Sequence, residues 1–160
     1  MRNAPNFHEE LYAAIKLICK SSGWDYGEAW IPCPEGVLEL SPVWYSRPDT
    51  EAIEKFRLCS EAFVLPPNQG LPGRVWAKEQ PEWIRDVSAR SEMYFLRNQI
   101  AKACGVKAGF GIPIKRDRQV LVVLVFFMRQ VCDQDEQKVD FITAVAAELE
   151  RLLNLSPALH

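Results

Sequence analysis

Two arginines are the residues most able to do chemistry. Arg74 closes the run Gly70-Leu-Pro-Gly-Arg74, whose two glycines and proline keep the backbone irregular and could aim a guanidinium at an anionic ligand. Arg97 lies in Ser91 to Cys104, which reads as a helix, and its planar fork suits a carboxylate, phosphate or oxyanion. Each has a plainer alternative. Arg74 could sit at the surface or hold the carbonyls of its own loop, and Arg97 could face solvent. Asp86, in Trp83-Ile-Arg-Asp-Val87, could accept from a ligand N–H or cap the turn that follows, the commoner use of Asp. Glu28 stands between Tyr26 and Trp30 on one strand face, where it either faces a pocket or reaches water.

Aromatic residues surround these groups. Trp30, Trp44, Trp76, Trp83, Tyr94, Phe95 and Phe110 could line a pocket, although each ring buries roughly 150–250 Å² and would serve a plain core as well. The candidate ligand-binding set is Arg74, Trp76, Trp83, Asp86, Tyr94, Arg97 and Phe110. No catalytic residue and no metal ligand is expected. The two histidines, His8 and His160, lie at opposite ends, which disfavours a histidine-ligated metal. Cys19, Cys33, Cys59, Cys104 and Cys132 are odd in number and scattered, with no Cys-x-x-Cys, as reduced thiols of a cytoplasmic protein would be. Cys104 follows Lys102 closely but has no partner base in view, so a catalytic thiol is the lesser reading.

These residues must be positioned by a small set of elements. The 160 residues, 48% hydrophobic and 25% charged, favour one domain with its own core, about residues 7 to 153. A net charge of −2 gives no bulk attraction to nucleic acid or to an anionic membrane. Met1 to His8 is polar and no apolar run reaches membrane length, so neither a leader nor a span is expected.

The strongest structural signal is Ala108 to Met128, two strand-like runs around the charged turn Lys115 to Gln119. Val120 to Met128 is apolar throughout, which predicts a central strand covered on both faces. In the first arm Phe110, Ile112 and Ile114 share one face. Gly109, Gly111 and Pro113 share the other and leave bare backbone open to a ligand or another chain segment.

Upstream, Phe7 to Lys20 predicts a helix capped by Asn6, with Glu9 completing a capping box. Strands follow at Trp24 to Ile31 and Val37 to Tyr45, with Trp24, Tyr26, Glu28 and Trp30 on one face. Pro48-Asp49-Thr50 opens a helix reaching about Phe63. Leu65 to Trp76 reads as a loop entering a short helix that ends near Gln80, and Glu82 to Val87 as a third strand. The helix from Ser91 ends at Gly105 as a C′ residue. Asp133, with Glu136 at N3, is expected to cap the closing helix, which carries the seam Val139, Ile142, Ala146, Leu149, Leu153 with Phe141, Val145 and Leu152 beside it. The class is α+β.

The strand Gly27-Glu-Ala-Trp30, the loop Gly70-Leu-Pro-Gly-Arg-Val-Trp76, the segment Trp83 to Val87, and Gly105 to Phe127 with its Ile112-Pro-Ile114 together resemble a GAF domain, a sensor module of histidine kinases, cyclases, phosphodiesterases and phytochromes. The likeness runs from about Phe7 to Leu153. The loop is also similar to the amino-terminal region of plant NIN-like nitrate regulators. The resemblance implies a central antiparallel sheet of five or six strands, terminal helices on one face that often pair between subunits, and middle helices and loops roofing a possible pocket on the other. It implies a non-catalytic sensory domain that binds a small molecule of unknown identity and relays its state through a homodimer's terminal helices to an output domain. Any cofactor is unknown. In one subfamily a cysteine, usually followed by histidine, holds a bilin. Those positions fall near Leu96 and Arg97, so a covalent bilin is not expected. The alternatives are a thiol-dependent GAF-fold reductase and a ligand-free dimerisation module.

Overall fold

A computed structural model describes residues 7–48 and 51–155. In chain order the elements are α1 (Phe7–Ser22), β1 (Tyr26–Pro32), β2 (Leu38–Ser46), α2 (Glu51–Ser60), β3 (Val64–Leu65), α3 (Gly70–Lys78), β4 (Glu82–Ile84), a 3₁₀ turn (Val87–Ala89), α4 (Asn98–Cys104), β5 (Gly109–Arg116), β6 (Gln119–Phe127) and α5 (Glu136–Asn154). The six strands form one sheet in the order β3-β2-β1-β6-β5-β4, with every neighbouring pair antiparallel. This is the α+β arrangement that the residue pattern calls for.

The β5–β6 hairpin organises the sheet. Its two-residue turn puts Asp117 (φ 52°) and Arg118 (φ 69°) in the left-handed region, the type I′ geometry whose twist matches that of paired strands. Strand β6 is central and covered on both sides. Val122, Leu124 and Phe126 pack under α1 and α5 with Leu11, Ile15, Ile18, Ile142, Ala146, Leu149 and Leu153. Val123, Val125 and Phe127 pack on the other side with Ile53 and Phe56 of α2, Leu71 and Val75 of α3, and Phe95.

The bare face of β5 is met by protein. A Cβ on Gly111 would lie 2.9 Å from Val75, and one on Gly109 would lie 2.9 Å from Phe127 and 3.1 Å from Val87. Glycine is needed there so that α3 and the 3₁₀ turn can sit directly on the strand.

Several expected boundaries move, each for a local reason. Trp24 precedes β1 instead of opening it, because Gly23 turns the chain at φ 80°. Trp24 thereby lands on the terminal-helix face, edge-on to Trp83 at 5.2 Å, and not beside Tyr26, Glu28 and Trp30. Helix α5 starts later than expected. Its cap is Asp135, which accepts from the N–H groups of Gln137 (3.0 Å) and Lys138 (3.3 Å), whereas Asp133 pairs with Arg85 at 2.7 Å. Gly70 to Trp76, expected as loop, is already helical in α3. Conversely, Ser91 to Arg97 is not helix. It is a chain of turns, with the Tyr94 and Phe95 N–H groups both donating to the Ser91 carbonyl. Side-chain anchors within it override its helical pattern. Gly105 ends α4 at φ 72°, as expected. Asn6, Asp49 and Thr50 lie outside the described residues.

Candidate functional site

Alternation along β1 puts Tyr26, Glu28 and Trp30 on the face opposite the terminal helices. Glu28 is fully enclosed there, 0% exposed, and its carboxylate is saturated by four donors. The Tyr26 hydroxyl donates to Oε1 at 2.8 Å, and the Trp30 indole N–H donates to Oε2 at 2.5 Å. The Arg97 guanidinium closes the set in a two-pronged pair, Nη1 to Oε1 at 3.1 Å and Nη2 to Oε2 at 2.8 Å. Arg97 Nη1 also donates to the Ser60 hydroxyl at 3.0 Å, which in turn donates to the Phe56 carbonyl at 2.7 Å.

Arg97 is itself only 2% exposed. Its Cζ lies 5.0 Å from the ring centre of Phe56, 5.1 Å from Trp30, 5.3 Å from Phe127 and 5.5 Å from Phe95. The guanidinium therefore occupies an aromatic cage with a carboxylate at one side. Burying two charges is costly, and only this degree of pairing offsets it. Burial, followed by the Glu28 charge and its hydrogen bond, pushes the Tyr26 phenol well above its ordinary range, so it remains a neutral donor.

A second cluster holds the segment that carries Arg97. Arg74 is nearly buried and pairs with Glu82, Nη2 to Oε2 at 2.7 Å and Nε to Oε1 at 3.1 Å. Its Nη1 donates to the Tyr94 carbonyl, while the Tyr94 hydroxyl donates to Glu82 Oε2 at 3.1 Å. The Tyr94 ring has the guanidinium carbons of Arg74 and Arg90 at 4.0 and 3.8 Å from its centre. Arg74 thus ties a neighbouring segment down through a backbone carbonyl. Beside that segment an open cleft of about 440 Å³ is lined by Gln69, Gly70, Glu92, Met93 and Leu96.

The seven sequence candidates do not converge on one site. Arg97 and Arg74 are placed as described, with Tyr94 beside Arg74. Trp76 is half-buried against the apolar cluster of the Glu28 face. Trp83 and Phe110 pack with the terminal-helix cluster, and the Trp83 indole donates to the Cys132 carbonyl at 2.8 Å. Asp86 caps the 3₁₀ turn, accepting from the Ser88 N–H at 3.0 Å and its hydroxyl at 2.6 Å. Glu28 and Ser60, outside that set, complete the polar core. The Tyr26-x-Glu28-x-Trp30 alternation does single out Glu28, which reaches no water here. Nothing local could have paired it with a residue 69 positions away.

All five cysteines are free thiols, and among the described residues no group of three or more His, Cys, Asp or Glu could hold a metal ion. Burial pushes the Cys19 thiol far above its ordinary value. Burial, with Cys59 nearby, raises Cys104 as well. Neither is primed as a thiolate nucleophile. Among the described residues no helix is long and apolar enough to cross a membrane.

The fold is that of GAF domains. It superposes on the GAF domain/HD domain protein from Geobacter sulfurreducens with a TM-score of 0.73 at 10% identity, covering 95% of each chain. The GAF domain of a two-component sensor histidine kinase from Bacillus halodurans gives 0.69 at 16% identity over 92% of each chain. The free methionine-R-sulfoxide reductase from Neisseria meningitidis, solved in complex with its substrate, gives 0.69 at 17% identity over 92% of this chain and 77% of that one. The family model described as the NLP protein GAF domain matches residues 2–156, so the chain belongs to that family. Among curated proteins, the Arabidopsis thaliana transcription factor bHLH13 is 33% identical over 60 residues, which span 38% of this chain and a tenth of that protein. GAF domains are commonly sensory or regulatory parts of signalling proteins.

Proposed function

We propose that this chain is a non-catalytic regulatory domain whose ligand face is shut by its own 91–97 segment, with Arg97 as the bolt. The segment opens and closes, and the change passes through the sheet to α1 and α5, and from a pair of such domains to an output domain. The observation that carries this reading is the buried Arg97–Glu28 pair, which joins the central strand β1 to a segment without regular structure. Replacing a buried ion pair by apolar side chains is often neutral or stabilising. A pair kept at this spot therefore suits a two-state element better than a stability device. A small molecule would act by favouring one of the two states.

The relay has a physical route. Gly27 of β1 backs onto α1 so closely that a Cβ there would lie 2.5 Å from Ile15, and α1 packs along α5. The outer side of this helix pair fits a second copy. An apolar groove of about 150 Å³ runs between the two helices, lined by Ala13, Leu17, Val145 and Leu152 among others, with Leu17 48% exposed.

Hydrogen exchange followed by mass spectrometry on Glu28→Gln tests the reading. Faster exchange is expected in 91–97 together with altered exchange in α1 and α5, while β6 stays protected. A change confined to 91–97 would contradict the relay.

A further inference from the structure

We propose that the enclosure filled by the Arg97 guanidinium, walled by Glu28, Ser60, Trp30, Phe56 and Phe127, is a cation site, built to take the guanidinium of an alkylguanidinium-bearing ligand, and that Arg97 is its resident occupant. The proposal rests on the reading of 91–97 as a movable lid.

Most of the site is fixed by the fold. Glu28 belongs to β1, which is hydrogen-bonded to β2 on one side and β6 on the other. Its carboxylate is further fixed by Tyr26 and Trp30 from the same strand. Of the rings around the guanidinium, Trp30 is on β1, Phe127 on β6 and Phe56 on α2. Only Phe95 travels with the lid. Ser60, the remaining polar partner, also sits on α2. Take the lid away and what stays is a carboxylate, a hydroxyl acceptor and three aromatic faces. That is the chemistry of a planar or alkylated cation site: charge paired at one side, quadrupoles around the rest. An anionic ligand would have to dislodge Glu28 from the rigid sheet, whereas a cation need only replace Arg97. The lid residues Glu92, Met93 and Leu96 also line an open cleft with Gln69 and Gly70, and Met93, 95% exposed, marks how little covers that corner.

Arg97 is tethered, so it competes with any external guanidinium at high effective concentration. An external ligand binds the unmodified chain more weakly by the fraction of time that the lid is open.

The test uses the full chain, the variants Arg97→Ala and Arg97→Ala with Glu28→Gln, and methylguanidinium as probe. Methylurea serves as the uncharged probe of like shape, and sodium chloride holds ionic strength. The Trp30 indole N–H resonance reports occupancy. Methylguanidinium is expected to shift it saturably in Arg97→Ala, at least about tenfold more tightly than in the unmodified chain. Methylurea should do neither, and the added Glu28→Gln should abolish the effect. Equal action of methylurea would make the site a mere cavity, and equal affinity for the unmodified chain would place the probe elsewhere. Either result overturns the proposal, as does no shift in a folded Arg97→Ala. If Arg97→Ala is insoluble, soluble yield becomes the readout: rescue by methylguanidinium and not by methylurea supports the site, and rescue by both or neither overturns it. Failure of the lid reading shows separately, as exchange of 91–97 in the unmodified chain that occurs only with global unfolding.

Discussion

Val75 packs against the bare backbone of Gly111, its Cγ2 only 2.9 Å from where a Cβ would stand. This contact is why the glycine face of β5 is no open pocket floor: helix α3 lies on it. Gly111→Ala should therefore cost roughly 1–3 kcal/mol, as overpacking of a tight interior does. Adding Val75→Ala should return part of that loss, and a denaturation double-mutant cycle measures the coupling.

The Glu28–Arg97 pair predicts a second cycle. Glu28→Gln leaves a buried guanidinium uncompensated, and Arg97→Met leaves a buried carboxylate short of its main partner. Each should lose roughly 3–5 kcal/mol. The double variant should lose less than the two losses combined. Added salt should change these values little, because neither group is reached by solvent ions.

Val125 is the register partner of Glu28 across β1 and β6 and is fully buried. Val125→Asp would set a second carboxylate beside the first with no cation to spare, and should leave the domain unfolded or insoluble. A soluble, cooperatively melting variant would show that this face tolerates charge.

These three cases mark how far the residue pattern could be read. The apolar run of β6, the hairpin, Gly105 as helix terminator and the amphipathic end helices follow from local periodicity and turn chemistry, and the GAF-like α+β sheet follows with them. The site did not. Phe110 and Trp83 are aromatic at plausible positions, yet as register partners on β5 and β4 they face the terminal-helix side. Arg97 suits a ligand's carboxylate by its residue type and pairs with the protein's own Glu28, a carboxylate that comes from a distant strand. The helical pattern of Ser91 to Arg97 yields to the anchoring of Tyr94 and Arg97, a tertiary effect with no local signature.

Thiol chemistry separates a regulatory domain from a reductase. Cys59 is exposed and Cys19 buried, so alkylation should label Cys59 at once and Cys19 only as fast as the chain unfolds. No turnover of free methionine-R-sulfoxide with a thiol reductant is expected. Cys19 also predicts a pH effect. Its folded-state value is raised by burial above the ordinary 9.0. The neutral thiol is thus favoured by the fold, and stability is intact below 9.0 and falls as pH rises above it. Cys19→Ala should flatten that slope in urea titrations between 9.0 and 10.0, the ordinary value above which Tyr26 contributes in the same sense.

Association through the end helices should depend on the outer groove. Ile142, Ala146, Leu149 and Leu153 are used up against the sheet, Leu149 being 2% exposed. Leu17→Glu with Leu152→Glu is therefore the cleaner pair of changes. Sedimentation equilibrium should show a dimer for the unmodified chain and a monomer for the variant. A monomer for both would remove the second copy from the account.

The central claim, that 91–97 is a lid bolted by Arg97 on Glu28, is tested most directly by native-state hydrogen exchange of the unmodified chain across sub-denaturing urea. The amides of Tyr94, Phe95 and Asn98 should exchange through an opening well below the global unfolding free energy and nearly insensitive to urea, while Val123 and Val125 exchange only by global unfolding. If all five exchange with the same free energy and the same urea dependence, the segment is part of the core and there is no lid.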